Sequence, residues 1–137
     1  MKKFLIFIVC IMLVSLLASC SNSKYDLSLA KVLQEENYYV DFLIESDDIE
    51  ECADEFDAKD DGIDGIMIAE PEDWDDEKVG LVFFCDSTKS AKALEESLKE
   101  YIKDMDEDDY IYFKRGIVTR VDDTVFMGCE DVWEVIE

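Results

Sequence analysis

The sequence predicts an α+β fold in which helices cover one face of an antiparallel sheet. Segments with apolar residues three and four positions apart, typical of helices, are interspersed with alternating or wholly apolar segments typical of strands. Two pairs of predicted strands are joined by links too short for a parallel crossover. The predicted order α-β-α-β-β-α-β-β-α contains the β-α-β-β-α-β core of a ferredoxin-like sandwich, with an extra N-terminal helix and a C-terminal hairpin and helix.

A helix and a strand open the predicted domain. Asp26 is a suitable N-cap, and Asn37 can end the helix in the left-handed conformation. The core-facing residues of this helix are expected to be Leu29, Val32 and Leu33. Segment 39–45 then alternates and predicts a strand. Its buried face would carry Val40, Phe42 and Ile44.

A second helix and a hairpin follow. Ser46 or Asp47 can cap a helix, and Pro71 ends a strand predicted from position 63. The apolar stripe of the helix comprises Ile49, Cys52, Ala53 and Phe56. After the polar link "PEDWDDEK", segment 79–85 is apolar on both faces, which predicts a central strand.

The longest predicted helix begins at Asp86 or Ser87, and the last strands and helix come after it. Its apolar stripe comprises Ala91, Leu94, Leu98, Ile102 and Met105. Segments 110–113, 117–121 and 124–127 read as strands, with Asp122 and Asp123 in a turn. The first two segments would form either one strand bent at Gly116 or two separate strands. Gly128 is expected to end the sheet, before a short helix over 130–137 that buries Trp133 and Ile136.

The N-terminal segment has the features of an export signal. Lys2 and Lys3 precede an almost unbroken apolar run from Phe4 to Ala18. As a helix this run would be roughly 23 Å long, short of the about 30 Å of a bilayer's hydrocarbon core. The segment therefore predicts a signal peptide rather than a membrane span.

Leu17-Ala18-Ser19-Cys20 resembles the lipobox of bacterial lipoproteins. The resemblance implies cleavage between Ser19 and Cys20 and a diacylglyceryl group on the Cys20 sulfur, with fatty acids such as palmitate. It divides the chain into a signal peptide (1–19), a lipidated cysteine with a short tether (20–25) and one α+β domain (26–137). The anchor would hold the domain at the extracytoplasmic face of the cell membrane. An uncleaved anchor and an ordinary secretory peptide are the alternatives.

The domain is similar in size and pattern to small lipoproteins of Gram-positive bacteria, a resemblance that carries no functional motif.

The charge of the chain limits the classes of partner that it can bind. The chain has 36 acidic residues against 13 basic ones, a net charge of −23. Nucleic acid is excluded as a partner, because phosphate contacts require clustered Lys and Arg. A cationic protein or peptide fits this charge.

Three cysteines, an odd number, lie downstream of the lipobox: Cys52, Cys85 and Cys129. They allow one disulfide with a free thiol, or three free thiols. There is no CxxC pair and no histidine, so a zinc site of the usual kind is not expected. We predict that Cys85 and Cys129 pack in the core, that Cys52 points into it, and that the protein has no cofactor.

The segment from Glu45 to Glu77 holds 17 of the 36 acids and one base, Lys59. Asp57, Asp61 and Gly62 match three positions of a calcium-binding loop, but Lys59 and Ile68 occupy ligand positions, so we predict no metal site there. Within this segment Trp74 lies among acids and would serve as an aromatic anchor for a partner. The candidate binding residues are Asp73, Trp74, Asp75 and Asp76. The alternative is that Trp74 folds back over the hydrophobic edge of the domain.

For catalysis the sequence offers little. The absence of histidine excludes Ser-His-Asp and Cys-His arrangements, and neither a GxSxG motif nor a glycine-rich phosphate loop is present. We therefore predict a non-enzymatic lipoprotein that binds another protein or peptide through an acidic surface. A small-molecule or divalent-cation binding module is the second hypothesis, and a hydrolase is the third.

Overall fold

The computed structural model describes residues 27–73, 78–105 and 116–137. The described chain forms an α+β fold, as predicted, with a five-stranded antiparallel sheet. The helices are α1 (Leu27–Glu35), α2 (Ser46–Glu55), α3 (Thr88–Asp104) and α4 (Glu130–Ile136). The strands are β1 (Tyr38–Leu43), β2 (Ile63–Pro71), β3 (Gly80–Cys85), β4 (Gly116–Val121) and β5 (Thr124–Cys129).

The strand order is β1-β2-β3-β5-β4, and every neighbouring pair is antiparallel. This order corrects the predicted ferredoxin-like core, in which the third strand would lie between the first two strands and separate them. The cause is the connection between β1 and β2. Helix α2 and residues 56–62 return the chain to the end of the sheet where β1 stops, so β2 pairs directly with β1.

Helices cover both faces of the sheet, which corrects the prediction of a single covered face. Helices α2 and α3 pack on one face, and α1 and α4 pack on the other. The reason is the composition of β2 and β3. In β3 all six residues are buried, so both faces of this central strand require an apolar cover. We call the two sides the α2/α3 face and the α1/α4 face.

Each face has its own hydrophobic core. Phe83 is fully buried under α2 and α3, and Phe126 is 1% exposed under α4. On the α1/α4 face two paired glycines let a helix approach the sheet. A β-carbon on Gly80 would lie 2.6 Å from Val132 Cγ1, and one on Gly128 would lie 2.5 Å from the Val79 carbonyl oxygen. Side chains at either position would therefore separate α4 or β3 from β5.

Several local predictions are confirmed, and others are wrong about which residues are buried or where a strand ends. Asn37 follows α1 with a φ of 65°, as its left-handed stop requires, and β3 is the central strand. Val32, placed in the core by periodicity, is 39% exposed. Strand β5 continues past Gly128, and in α4 the fully buried residue is Val132, with Trp133 half-buried beside Phe126. The strand predicted over 110–113 lies outside the described residues.

Candidate functional site

Most of the residues predicted to carry function lie outside the described part of the chain. These are Ser19 and Cys20 at the lipobox and Trp74, Asp75 and Asp76 in the acidic loop. Asp73 is described, and it is exposed just beyond the end of β2. Within the described ranges, no helix is long and apolar enough to cross a bilayer.

A concave pocket of about 340 Å³ lies where α2 and α3 end. The described residues that line it are Asp57, Ser97, Glu100, Tyr101, Asp104 and Met105. Three of these six are acidic and none is basic. Pockets that receive small molecules or single side chains begin at roughly this size. The pocket therefore combines a suitable volume with negative charge.

Asp57 reaches the pocket through an unusual helix end. The Ala58 amide donates to the Ala53 carbonyl at 3.0 Å and the Asp57 amide donates to the Asp54 carbonyl at 3.2 Å. This pair of bonds defines a Schellman motif, whose left-handed position is usually glycine. Asp57 occupies that position with a φ of 52°. A side chain in this conformation lowers stability by about 1 kcal/mol or more. Glycine at position 57 would therefore make the folded protein more stable than aspartate does.

Glu100 and Asp104 lie in the last two turns of α3. Carboxylates at a helix C-terminus are unfavourable, because the partial negative charge of the helix end repels them. Lys103 lies in the same turn, but it does not line the pocket. Asp57, Glu100 and Asp104 are all exposed, and none forms an ion pair with a described residue. The C-terminal ends of α2 and α3 and three carboxylates therefore lie around one pocket. No described cation accompanies them.

The apolar part of the pocket comes from α3. Met105 and Tyr101 pack against the core of the α2/α3 face and also line the pocket. Tyr101 is held in place by Phe56, since the two ring centroids are 5.4 Å apart in an edge-to-face arrangement. An aromatic ring and a thioether beside carboxylates suit the methylene stem and charged head of lysine or arginine.

The thiols are buried and free, as the sequence predicted for core packing. Burial raises the pKa of the Cys52 thiol to about 12, with Glu55 and Glu51 adding to the effect. Burial also raises the pKa of the Cys85 thiol to about 11, with Asp86, Asp123 and Asp64 contributing. Since the thiolate is the reactive form, neither cysteine is suited to nucleophilic chemistry.

Arg120 belongs to the largest ion-pair group of the described chain and lies outside the pocket. Its Nε donates to Glu95 Oε2 at 2.9 Å, and Lys99 Nζ donates to Glu95 Oε1 at 2.7 Å. Hydrogen bonds from these two bases lower the pKa of Glu95. Glu95 and Lys99 are four residues apart, the spacing at which opposite charges pair along a helix.

Sequence reasoning did not find the pocket. The sequence placed Asp57 in an incomplete calcium loop, and no motif marked Glu100 or Asp104. Among the described residues no three acids or cysteines come close enough to hold a metal ion. One signal was available: Glu100 and Asp104 lie four residues apart near the end of the longest helix, where the helix dipole disfavours acids.

In comparisons with known proteins, no family model, curated protein or solved structure matches this chain.

Proposed function

We propose that this protein is a lipid-anchored extracytoplasmic binding module that receives a lysine or arginine side chain of a partner protein or peptide in its acidic pocket. The observation that carries the proposal is the pocket itself. Asp57, Glu100 and Asp104 surround it at the ends of α2 and α3, next to Tyr101. Such an arrangement lowers stability locally and becomes favourable when a cation enters.

The charge of the rest of the chain supports the same partner. A net charge of −23 attracts cationic surfaces at long range and accelerates their encounter. Specificity would then depend on the pocket, where a long basic side chain can place its stem on Met105 and its charge among the carboxylates. The long-range attraction weakens with salt, because the Debye length is only about 8 Å at physiological ionic strength.

The anchor rests on the N-terminal sequence. Lys2 and Lys3, the apolar run and the Leu17 to Cys20 motif support attachment of a diacylglyceryl group to Cys20. Two acyl chains on one cysteine hold a protein stably at a membrane, whereas one chain binds reversibly. In cells that express the protein, Cys20→Ala should abolish incorporation of a labelled fatty acid. Cys10→Ala is the matched control and should still be labelled. Continued labelling of Cys20→Ala would contradict the anchor.

A free organic cation is the second candidate ligand, because the pocket volume of about 340 Å³ also accommodates a small amine. The divalent-cation hypothesis finds no support in the described ranges, where no three metal-binding side chains converge. Hydrolysis fits the pocket less well. General acid catalysis needs a carboxyl group that burial keeps protonated, and the three pocket acids are exposed to water.

The pocket can be tested by calorimetric titration with a short lysine-rich peptide at physiological salt. The triple variant Asp57→Asn, Glu100→Gln, Asp104→Asn should weaken binding about tenfold, since exposed ion pairs contribute up to about 1 kcal/mol each and screening reduces their sum. A control with the same change in charge substitutes by glutamine three exposed acids in or next to α1 and α4: Glu35, Glu36 and Glu134.

The control should weaken binding by less than about threefold. Equal losses in the two triple variants would show that diffuse charge, not the pocket, binds the peptide. A free diamine that binds as tightly as the peptide would favour the small-molecule alternative. Unchanged affinity in the pocket variant would reject the proposed site altogether.

A further inference from the structure

Two carboxyl groups are buried on the α2/α3 face at the β1 edge of the sheet. Asp41 is 6% exposed and Glu70 is 8% exposed, and they are the only buried charged residues among those described. Asp41 shares its face with Leu43, and Glu70 shares it with Ile68. In the ladder Asp41 lies opposite Ile68 and Glu70 lies opposite Tyr39. The two acids are thus diagonal neighbours, roughly 7 Å or less between side chains.

The pair has no counter-ion in the described part of the chain. Lys78 Nζ pairs with Asp131 Oδ2 of α4 at 2.9 Å, on the side of the sheet away from Asp41 and Glu70. Arg120 is engaged with Glu95 beside the opposite edge strand, β4. An ionised carboxylate buried without a partner is strongly unfavourable, and such groups usually become neutral instead.

Among the described residues, the other titratable groups on this face place no positive charge beside the pair. They include Tyr39 on β1, Cys52 and Glu55 on α2, Cys85 on β3, Glu95 and Tyr101 on α3, and Arg120 on β4, which is bound to Glu95. The two thiols are neutral near pH 7, because burial raises the pKa of Cys52 to about 12 and that of Cys85 to about 11. Burial raises the pKa of Glu70 to about 7, and Asp41 adds to this effect. Burial also raises the pKa of Asp41.

We infer that Asp41 and Glu70 bind one proton as a pair at neutral pH, and that release of this proton to water loosens the edge strand β1. With the proton bound, at most one negative charge is buried between the strands. Without it, two carboxylates repel each other on neighbouring strands in a site shielded from water. Strand β1 responds because it is paired on one side only, to β2. The protein therefore carries a proton-sensitive attachment at one edge of its sheet.

The sign of the pH dependence follows from linkage. A carboxyl group with a raised pKa holds its proton more tightly in the folded chain than in the unfolded chain. The stability due to Glu70 is therefore fully present below its ordinary pKa of 4.5 and falls as pH rises to about 7. Between pH 6 and pH 8 the unfolding equilibrium constant should still increase about tenfold.

The direct test is a carbon-13 NMR titration of the side-chain carboxyl groups in the full-length protein. We expect the Glu70 carboxyl to titrate with a midpoint near 7. Glu70→Gln keeps the shape of the side chain and should remove this titration. A Glu70 midpoint below about 5 in the wild-type protein would overturn the inference without requiring any variant to fold.

The second test measures hydrogen exchange of the β1 amides at pH 6 and pH 8. Relative to Glu70→Gln at the same pH, wild-type protection of residues 38–43 should fall about tenfold across this range. The exposed neighbour Glu72 supplies the control, since Glu72→Gln should behave as wild type. Equal behaviour of wild type and Glu70→Gln would refute the coupling. If micromolar calcium restores β1 protection at pH 8, the pair binds a metal ion and the inference fails.

Discussion

The two faces of the sheet are both closed by helices, but they differ in what they bury and expose. The α1/α4 face is apolar throughout its buried part, and paired glycines bring α4 close to the strands. The α2/α3 face contains the buried acids Asp41 and Glu70 and ends in the acidic pocket beside Tyr101. One side follows the ordinary rules of packing, and the other departs from them.

This difference supports the proposed location of the binding site. Natural sequences are locally consistent except at sites under another constraint, so departures from stable packing identify those sites. Asp57 in a left-handed position, acids at a helix C-terminus and a buried carboxyl pair are three such departures. All three belong to the α2/α3 side of the molecule. The α1/α4 side serves as support.

The largest expected effect tests whether both faces are structural cores. Phe83→Ala and Phe126→Ala should each lower the free energy of unfolding by about 3–5 kcal/mol, because each removes a fully buried ring. Urea denaturation of both variants measures this. Val121, which is 57% exposed, supplies the control, and Val121→Ala should stay within about 0.5 kcal/mol of wild type. A Phe126→Ala cost as small as that of the control would mean that only one face carries a core.

A smaller effect with the opposite sign tests whether Asp57 lowers the stability of the fold but strengthens peptide binding. Asp57→Gly should raise the free energy of unfolding by about 0.5–1 kcal/mol, because glycine accepts the left-handed backbone without strain and the helix end loses a like charge. The same variant should weaken binding of the lysine-rich peptide about threefold. Thermal melting and calorimetric titration measure the two quantities.

Asp57→Asn separates the two causes, since asparagine tolerates the left-handed backbone but carries no charge. It should weaken peptide binding as much as Asp57→Gly and change stability by less than about 0.5 kcal/mol. If Asp57→Gly destabilises the protein or leaves peptide binding intact, the aspartate is not retained for its charge.

The sequence predicted the fold class and most elements because these depend on local patterns. Alternation, helical spacing and the left-handed stop at Asn37 can all be read along the chain. The strand order could not be read in the same way, because it depends on whether α2 returns the chain beside β1 or carries it past another strand. The apolar character of β3 on both faces did contain the information that two helical layers are needed.

The candidate sites were harder to predict, for a physical reason. Asp41 alternates with apolar neighbours, so it read as the solvent side of a one-sided strand, and its burial became evident only with helices on both faces. The pocket joins Asp57 to Glu100 and Asp104, which are more than 40 positions away in sequence. Such proximity arises from tertiary packing of α2 against α3, which no periodicity encodes.

The central claim is that the acidic pocket of the α2/α3 side is where a cationic partner binds. Its most direct test is an NMR titration of the nitrogen-15-labelled protein with a lysine-rich peptide at physiological salt. We predict that the largest changes in amide chemical shift fall on residues 56–58 and 97–105, with little change in α1 and α4. Changes centred on the α1/α4 face, or spread evenly over the acidic surface, would contradict the claim.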